Sequence, residues 1–217
     1  MGTAQRPRDL DILGHAPAGP GIFAPWLEAL PQGPRDLLAL LPVADVNALT
    51  LTALEGLEPA AHPQMHAALF CADPFLRVRD MADVLRRAGI GAVTNFPTVQ
   101  MIDGETARDL DSADLGARRE IRVLQQFAQA GFRVLAFTGS AEAGAVLARQ
   151  GAEGVVLHPG PASGDWRVRA AAARQSVQAI RSLRHLTDVP VRVFHPDGFG
   201  GELDAADALA DGIVGYG

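Results

Sequence analysis

The chain has 217 residues, of which 48% are hydrophobic and 20% charged, with a formal charge of −6. That size allows one domain or a compact pair with a sizeable core, and no apolar run approaches the ~20 residues of a membrane span. The acidic balance argues against a nucleic-acid surface, and a lone cysteine excludes an internal disulfide and suits a cytoplasmic protein.

Residues 1–8 are expected to form a flexible lead, and residues 9–217 a single domain. Residues 10–14 make a short apolar run ending in His15. After the turn Gly19-Pro20-Gly21, residues Ile22, Phe23, Trp26, Leu27 and Leu30 recur at helical spacing, and Pro31 to Pro34 stop that helix. Residues 36–41 read as a second apolar strand, 42–47 as a polar strand-end loop and 48–57 as a helix. Two further runs, 67–70 and 90–94, flank a helix in which Met81, Val84, Leu85 and Ala88 share one face. Polar groups follow both strands: Cys71-Ala72-Asp73-Pro74 and Asn95-Phe96-Pro97-Thr98. A helix through Glu120, Ile121, Leu124 and Phe127 closes at Gly131.

Residues 132–137 are a fifth strand. Ser140 then caps a helix over 141–150, which stops at Gly151. A sixth strand at 154–157 ends in His158. A long Arg- and Ala-rich helix covers about 166–185, and a seventh strand at 191–194 ends in His195-Pro196-Asp197-Gly198. A short helix at 203–209 and a last strand at 212–215 complete the alternation. The expected fold is a compact (β/α)8 barrel with short loops and a truncated C-terminal end, because no helix follows the last strand. A second register, with residues 10–14 as strand two of seven, competes with it. The truncated end suggests a partner's cover, and a homo-oligomer is expected.

In a parallel barrel, residues just past the strands converge on one mouth. That places His15, Asp45, Asn47, Asp73, Asn95, Asp103, Glu120, His158, His195 and Asp197 as candidates. Carboxylates and imidazoles in a partly desolvated mouth suit proton transfer or a divalent ion such as Mg²⁺. Each has a plain alternative, since Asp and Asn cap helices and Glu120 could be a solvated helix residue. No H-x-H or H-E-x-x-H pair marks a metal site, so the cofactor is left open. His62, His66 and His185 read as solvent-facing. Cys71 reads as a small buried residue. Glycines 198, 200, 201, 215 and 217 lie after strands seven and eight, where backbone N–H groups could meet an anion. The chain has no lysine, its nineteen basic residues all being arginine, which excludes a lysine Schiff base and a P-loop.

The segments Cys71-Ala72-Asp73-Pro74-Phe75, Asn95-Phe96-Pro97-Thr98-Val99 and Asp103-Gly104 resemble the phosphoenolpyruvate-hydrolase-like TIM barrels. Leu41-Pro42 with Asp45 and Asn47-Ala48, Glu120, and Gly151-Ala152 with His158 and Gly160 are similar to further segments of that family. His195 to Gly198 and Gly212 to Gly217 echo its last two strands. The resemblance implies hydrolase- or lyase-like chemistry on a small anionic substrate, a carboxylate or phosphorylated carboxylate. His158 and His195 would transfer protons, with Glu120 beside them, and Asp73 and Asp103 would orient substrate or hold an ion. Asp45, Asn47, Asn95, Thr98, Gly160, Asp197, Gly198, Gly200, Gly201 and Gly215 would bind substrate. The loop after strand two and the tail after His158 are shorter than in the family. A catalytically degenerate barrel, serving as a ligand-binding or interaction module, is the alternative.

Overall fold

A computed structural model describes residues 7–58, 62 and 64–217. Residues 1–6 of the expected lead lie outside this range. Eight parallel strands form one closed barrel in chain order. They are β1 (Leu10–Leu13), β2 (Gly21–Phe23), β3 (Met65–Ala68), β4 (Ala92–Thr94), β5 (Arg133–Thr138), β6 (Gly154–Leu157), β7 (Val191–His195) and β8 (Gly212–Tyr216). Leu10, Asp11 and Ile12 of β1 register against Val214, Gly215 and Tyr216 of β8, so no edge is left open.

The helices are α1 (Arg35–Leu38), α2 (Val46–Glu55), α3 (Val78–Arg87), α4 (Gly104–Ser112), α5 (Ala117–Gln129), α6 (Ala141–Arg149), α7 (Trp166–Leu186) and α8 (Asp204–Asp207). Local chemistry sets their ends. Asp45 and Ser140 accept from Ala48 and Ala143 N–H at the starts of α2 and α6. Gly131 and Gly151, with φ of 88° and 96°, follow α5 and α6 in the left-handed conformation that glycine adopts freely. On α7, Ala173, Ser176, Ile180 and Leu183 form the buried stripe.

Strand alternation divides the core. Ile12, Ile22, Ala68, Leu135, Phe137, Val156, Phe194, Val214 and Tyr216 fill the lumen. Val155, Leu157, Val191 and Val193 face outward onto Ile180 and Leu183 of α7, and Val134 and Ala136 face outward with Leu124 and Phe127 of α5.

Two expectations fail near the N-terminus. The second strand is residues 21–23, not 36–41. Residues 14–20 join β1 to β2 without a helix, and the expected helix after Gly21 is this strand followed by a 3-10 turn at Pro25–Ala29. A three-residue strand is too short to show alternation, and Trp26 and Leu27 in the tight turn imitate a helical period. Residues 36–41, Asp-Leu-Leu-Ala-Leu-Leu, contain no β-branched residue, and Pro34 precedes them as N-cap, so they open as α1. His66, expected at the solvent, is a buried β3 residue with Nε2 2.7 Å from Glu153. That bond draws the Glu153 carboxyl below its ordinary range.

Candidate active site

The upper lumen is filled with rings. Phe96, fully buried, has its centroid 4.8 Å from Phe137, 5.3 Å from Phe194, 5.7 Å from Trp26 and 6.1 Å from Tyr216. His158 joins this floor 4.9 Å from Phe194. Above it lies α1. Arg35 donates from Nε and Nη2 to the two oxygens of Asp197 at 2.8 and 2.9 Å, tying α1 to the loop after β7. Its guanidinium lies 3.6 Å from the centroid of the Tyr216 ring, a cation–π contact. The bond to Asp197 holds the Arg35 pKa up.

Asp36 is buried beneath this ion pair. Its Oδ1 accepts from Leu37 N–H, and its Oδ2 lies 3.3 Å from His158 Nε2 without the alignment of a hydrogen bond. Gly160 N–H donates to His158 Nδ1 at 3.0 Å, so a neutral ring carries its proton on Nε2. Burial, and then the charges of Asp36 and Asp197, push the Tyr216 phenol far up, which keeps it protonated. Among the described residues, Asp36 Oδ2, His158 Nε2, Tyr216 Oη and Trp26 Nε1 are buried polar atoms without a well-aligned hydrogen bond; Asp36 Oδ2 and His158 Nε2 face each other at 3.3 Å, and the Asp36 backbone N–H approaches Tyr216 Oη. The cluster therefore offers one acceptor and three donors.

Asp73, Asn95, His158 and His195 all follow strand ends, but they do not line one cavity. His158 faces the lumen. Asn95 faces outward: its amide donates to Glu120, Thr98 and the Phe137 carbonyl, and its Oδ1 accepts from Phe137 N–H. Thr98 donates to Glu120 at 2.7 Å, and Val99 N–H and the Gln100 amide also donate to that carboxylate. Glu120 is thus no solvated residue. It is fully buried among four donors, and desolvation outweighs them and raises its pKa from 4.5 to about 7.

The other candidates are dispersed. Asn47 brackets the Phe70 backbone with bonds to its N–H and carbonyl and donates to Asp73 at 2.8 Å, while Asp73 also accepts from Phe75 N–H. With Asp45, these residues border a separate cavity of ≈ 540 Å³. Asp103 is exposed and lines another, with Asp111 and Ser140. His195 points away from the lumen, its Nε2 2.7 Å from Asp207 of α8. Gly198 borders the same cleft as His195. Gly200 N–H is taken by Glu202, Gly201 opens the short turn before α8, and Gly215 is covered by the Arg8 side chain. His15 is exposed. Cys71 is buried, and burial pushes its thiol well up. Among the described residues no three His, Cys, Asp or Glu side chains gather as metal ligands, and no helix is long and apolar enough to cross a membrane.

Sequence reasoning missed Trp26, Arg35, Asp36 and Tyr216. The available signal was the charged Arg35-Asp36 pair directly after Gly33-Pro34, which should not begin a buried strand.

The closed eight-stranded architecture makes the chain a TIM-barrel protein. Over residues 31–196 it matches the family described as phosphoenolpyruvate hydrolase-like, and it belongs to that family. An uncharacterized protein of Sinorhizobium fredii, y4oT, is 35% identical over 120 residues, which cover 55% of this chain and 60% of that protein. The ToMV resistance protein Tm-1 of Solanum lycopersicum is 26% identical over 219 residues, covering 92% of this chain and 28% of that protein. The chain thus spans less than two thirds of the length of these relatives. Among solved structures, FabK from Thermotoga maritima superposes with a TM-score of 0.50 at 15% identity, covering 97% of this chain and 58% of that one. At that identity the likeness concerns the fold alone.

Proposed function

We propose that the chain is a barrel enzyme acting on a small carboxylate or phosphorylated carboxylate, with hydrolase- or lyase-type acid–base chemistry at the mouth. The supporting observation is the set of buried polar atoms on Asp36, His158 and Tyr216 that lack a well-aligned hydrogen bond among the described residues. Each such atom costs ~1–3 kcal/mol when nothing binds it. Native proteins keep few of them, and a group that arrives and bonds them offsets the cost. The Asp36–His158 pair provides an acceptor and a proton-bearing Nε2 side by side. Protonated Tyr216 can donate to a developing oxyanion. Arg35 offers a planar fork for a carboxylate, provided Asp197 releases it.

The second reading, a degenerate barrel that binds without catalysing, is favoured by one observation: Phe96 and its neighbours fill the lumen below the mouth. A thermal-shift and turnover screen separates the two. Small carboxylic and phosphorylated acids would be added, with and without Mg²⁺, to the wild type and to His158→Asn. The enzyme reading expects stabilisation and turnover in the wild type, both lost in the variant. Binding without turnover favours the second reading, and no binding by any acid removes the first.

A further inference from the structure

We propose that the face around the loop after β3 is an isologous interface, on which a second copy of this chain docks. Its centre is the cavity of ≈ 540 Å³ bordered by Leu41, Pro42, Val43 and Asp45 on one wall and by Phe70 and Phe75 on the other.

The apolar surface here is concentrated and held in place. Among the described residues six large apolar side chains are exposed, and three of them, Leu41, Val43 and Phe75, stand at this cavity. Phe75 is the extreme case, with 87% of its surface in water. A contiguous apolar patch on a folded domain marks a contact with another molecule. The loop beneath the ring is fixed. Asp73 accepts from Phe75 N–H at 2.8 Å and from Asn47 at 2.8 Å, and Arg119 Nη2 donates to the Asp73 carbonyl at 3.0 Å. The Asn47–Asp73 bond ties the two walls together, and the ring is carried on the tied loop. A surface set in place beforehand loses little freedom when it is covered.

Shape and charge choose the occupant. A small molecule inside the cavity would leave Phe75 in water, whereas a protein surface covers cavity and ring together. That surface needs an apolar knob for the cavity and an apolar hollow for the ring, and this same face offers both. The two-fold axis of an isologous contact lies in the interface. An axis running between the two walls sets each wall against the opposite wall of the other copy. Phe75 of each copy then enters between Leu41, Pro42 and Val43 of the other. The charges follow the same exchange. Exposed Asp45 ends one wall, and exposed Arg77 and Arg79 follow Phe75 on the other. Arg77 has a loose partner in Asp80, at 3.9 Å, and Asp73 is engaged by Asn47 and Phe75 N–H. The axis therefore brings Asp45 of each copy toward the arginines of the other. An apolar centre with an aromatic anchor and a rim of complementary charges is the anatomy of a specific interface.

The test is the oligomeric state of the full chain, by sedimentation velocity over a wide range of concentrations. Dimers are expected, with a population that rises with concentration. Phe75→Asp and Val43→Asp should each weaken association by about tenfold or more, and both side chains are exposed in the single chain, so neither change disturbs its core. Arg77→Asp should weaken association by about threefold or more. Adding Asp45→Arg should recover that loss, because the exchanged charges meet again across the axis. Asp45→Arg also removes the cap of α2, so association and not stability is the readout. A chain that stays monomeric at every concentration would overturn the proposal and leave the face to a different protein. A dimer that ignores both Phe75→Asp and Val43→Asp, or a double charge variant that associates no better than Arg77→Asp alone, would overturn it too.

Discussion

Two buried polar clusters lie near the C-terminal ends of the strands, and they differ in one respect. Around Glu120, donors and acceptors answer one another: Asn95, Thr98, Val99 N–H and Gln100 all donate to one carboxylate. Around Asp36, a carboxylate, an imidazole and a phenol lie together with atoms left unmatched. A completed network stabilises the fold and fixes the loop that carries Phe96. An incomplete one is costly unless something else completes it. Both clusters centre on a buried carboxylate, so a buried acid alone does not separate structural from functional polar groups. Satisfaction does.

The largest effect should come from the completed cluster. Glu120→Ala leaves four buried donors facing a cavity and should cost roughly 3–5 kcal/mol in urea unfolding. A variant within about 1 kcal/mol of the wild type would show that the network does not hold the fold.

The same carboxylate should leave a pH signature of slightly smaller size. Its folded-state pKa of about 7 stands above the ordinary 4.5, so the native state keeps its proton where the unfolded chain has lost it. This group's contribution is full below about pH 4.5 and is lost as pH rises through 7, on the order of 3 kcal/mol in all. Stability measured across that window should fall for the wild type, and the fall should be flatter in Glu120→Gln. Equal slopes in the two proteins would contradict the account.

The contrast also explains what was legible in the sequence. Strands β4 to β8 were readable because apolar runs such as 154–157 and 191–194 end in polar residues and are separated by long helical periods. For β2, three residues carried the pairing, and the tight turn after it supplied a false helical period. The polar groups that follow strands were located, but their direction was not. Asn95 and His195 lie one position from Phe96 and Phe194, and strand alternation turns those neighbours to opposite faces. Arg35 and Asp36 are hidden because the apolar run over residues 36–41 imitates a strand. Tyr216 stands between two glycines at the end of the sequence, and its hydroxyl is informative only once the fold places it beneath Arg35.

A weaker effect should come from the Arg35–Asp197 ion pair. Both side chains keep a third or more of their surface exposed, so Asp197→Asn should cost no more than about 1 kcal/mol of stability. If Asp197 competes with a substrate carboxylate for Arg35, the same variant should bind a small carboxylate more tightly, by about threefold or more. Weaker binding in Asp197→Asn would mean that Asp197 itself contributes to the ligand contacts.

The most direct test compares two hydroxyl deletions. Thr98→Val removes a hydroxyl that donates at 2.7 Å to buried Glu120, and Tyr216→Phe removes a buried hydroxyl that makes no well-aligned hydrogen bond among the described residues. Urea unfolding of both variants beside the wild type should give a loss of about 1–3 kcal/mol for Thr98→Val. For Tyr216→Phe it should give a change within about 0.5 kcal/mol, or a gain, because the deleted group makes no well-aligned bond in the native state. A loss for Tyr216→Phe as large as that for Thr98→Val would contradict the claim that the mouth cluster awaits a ligand, and would place Tyr216 among the groups that hold the fold.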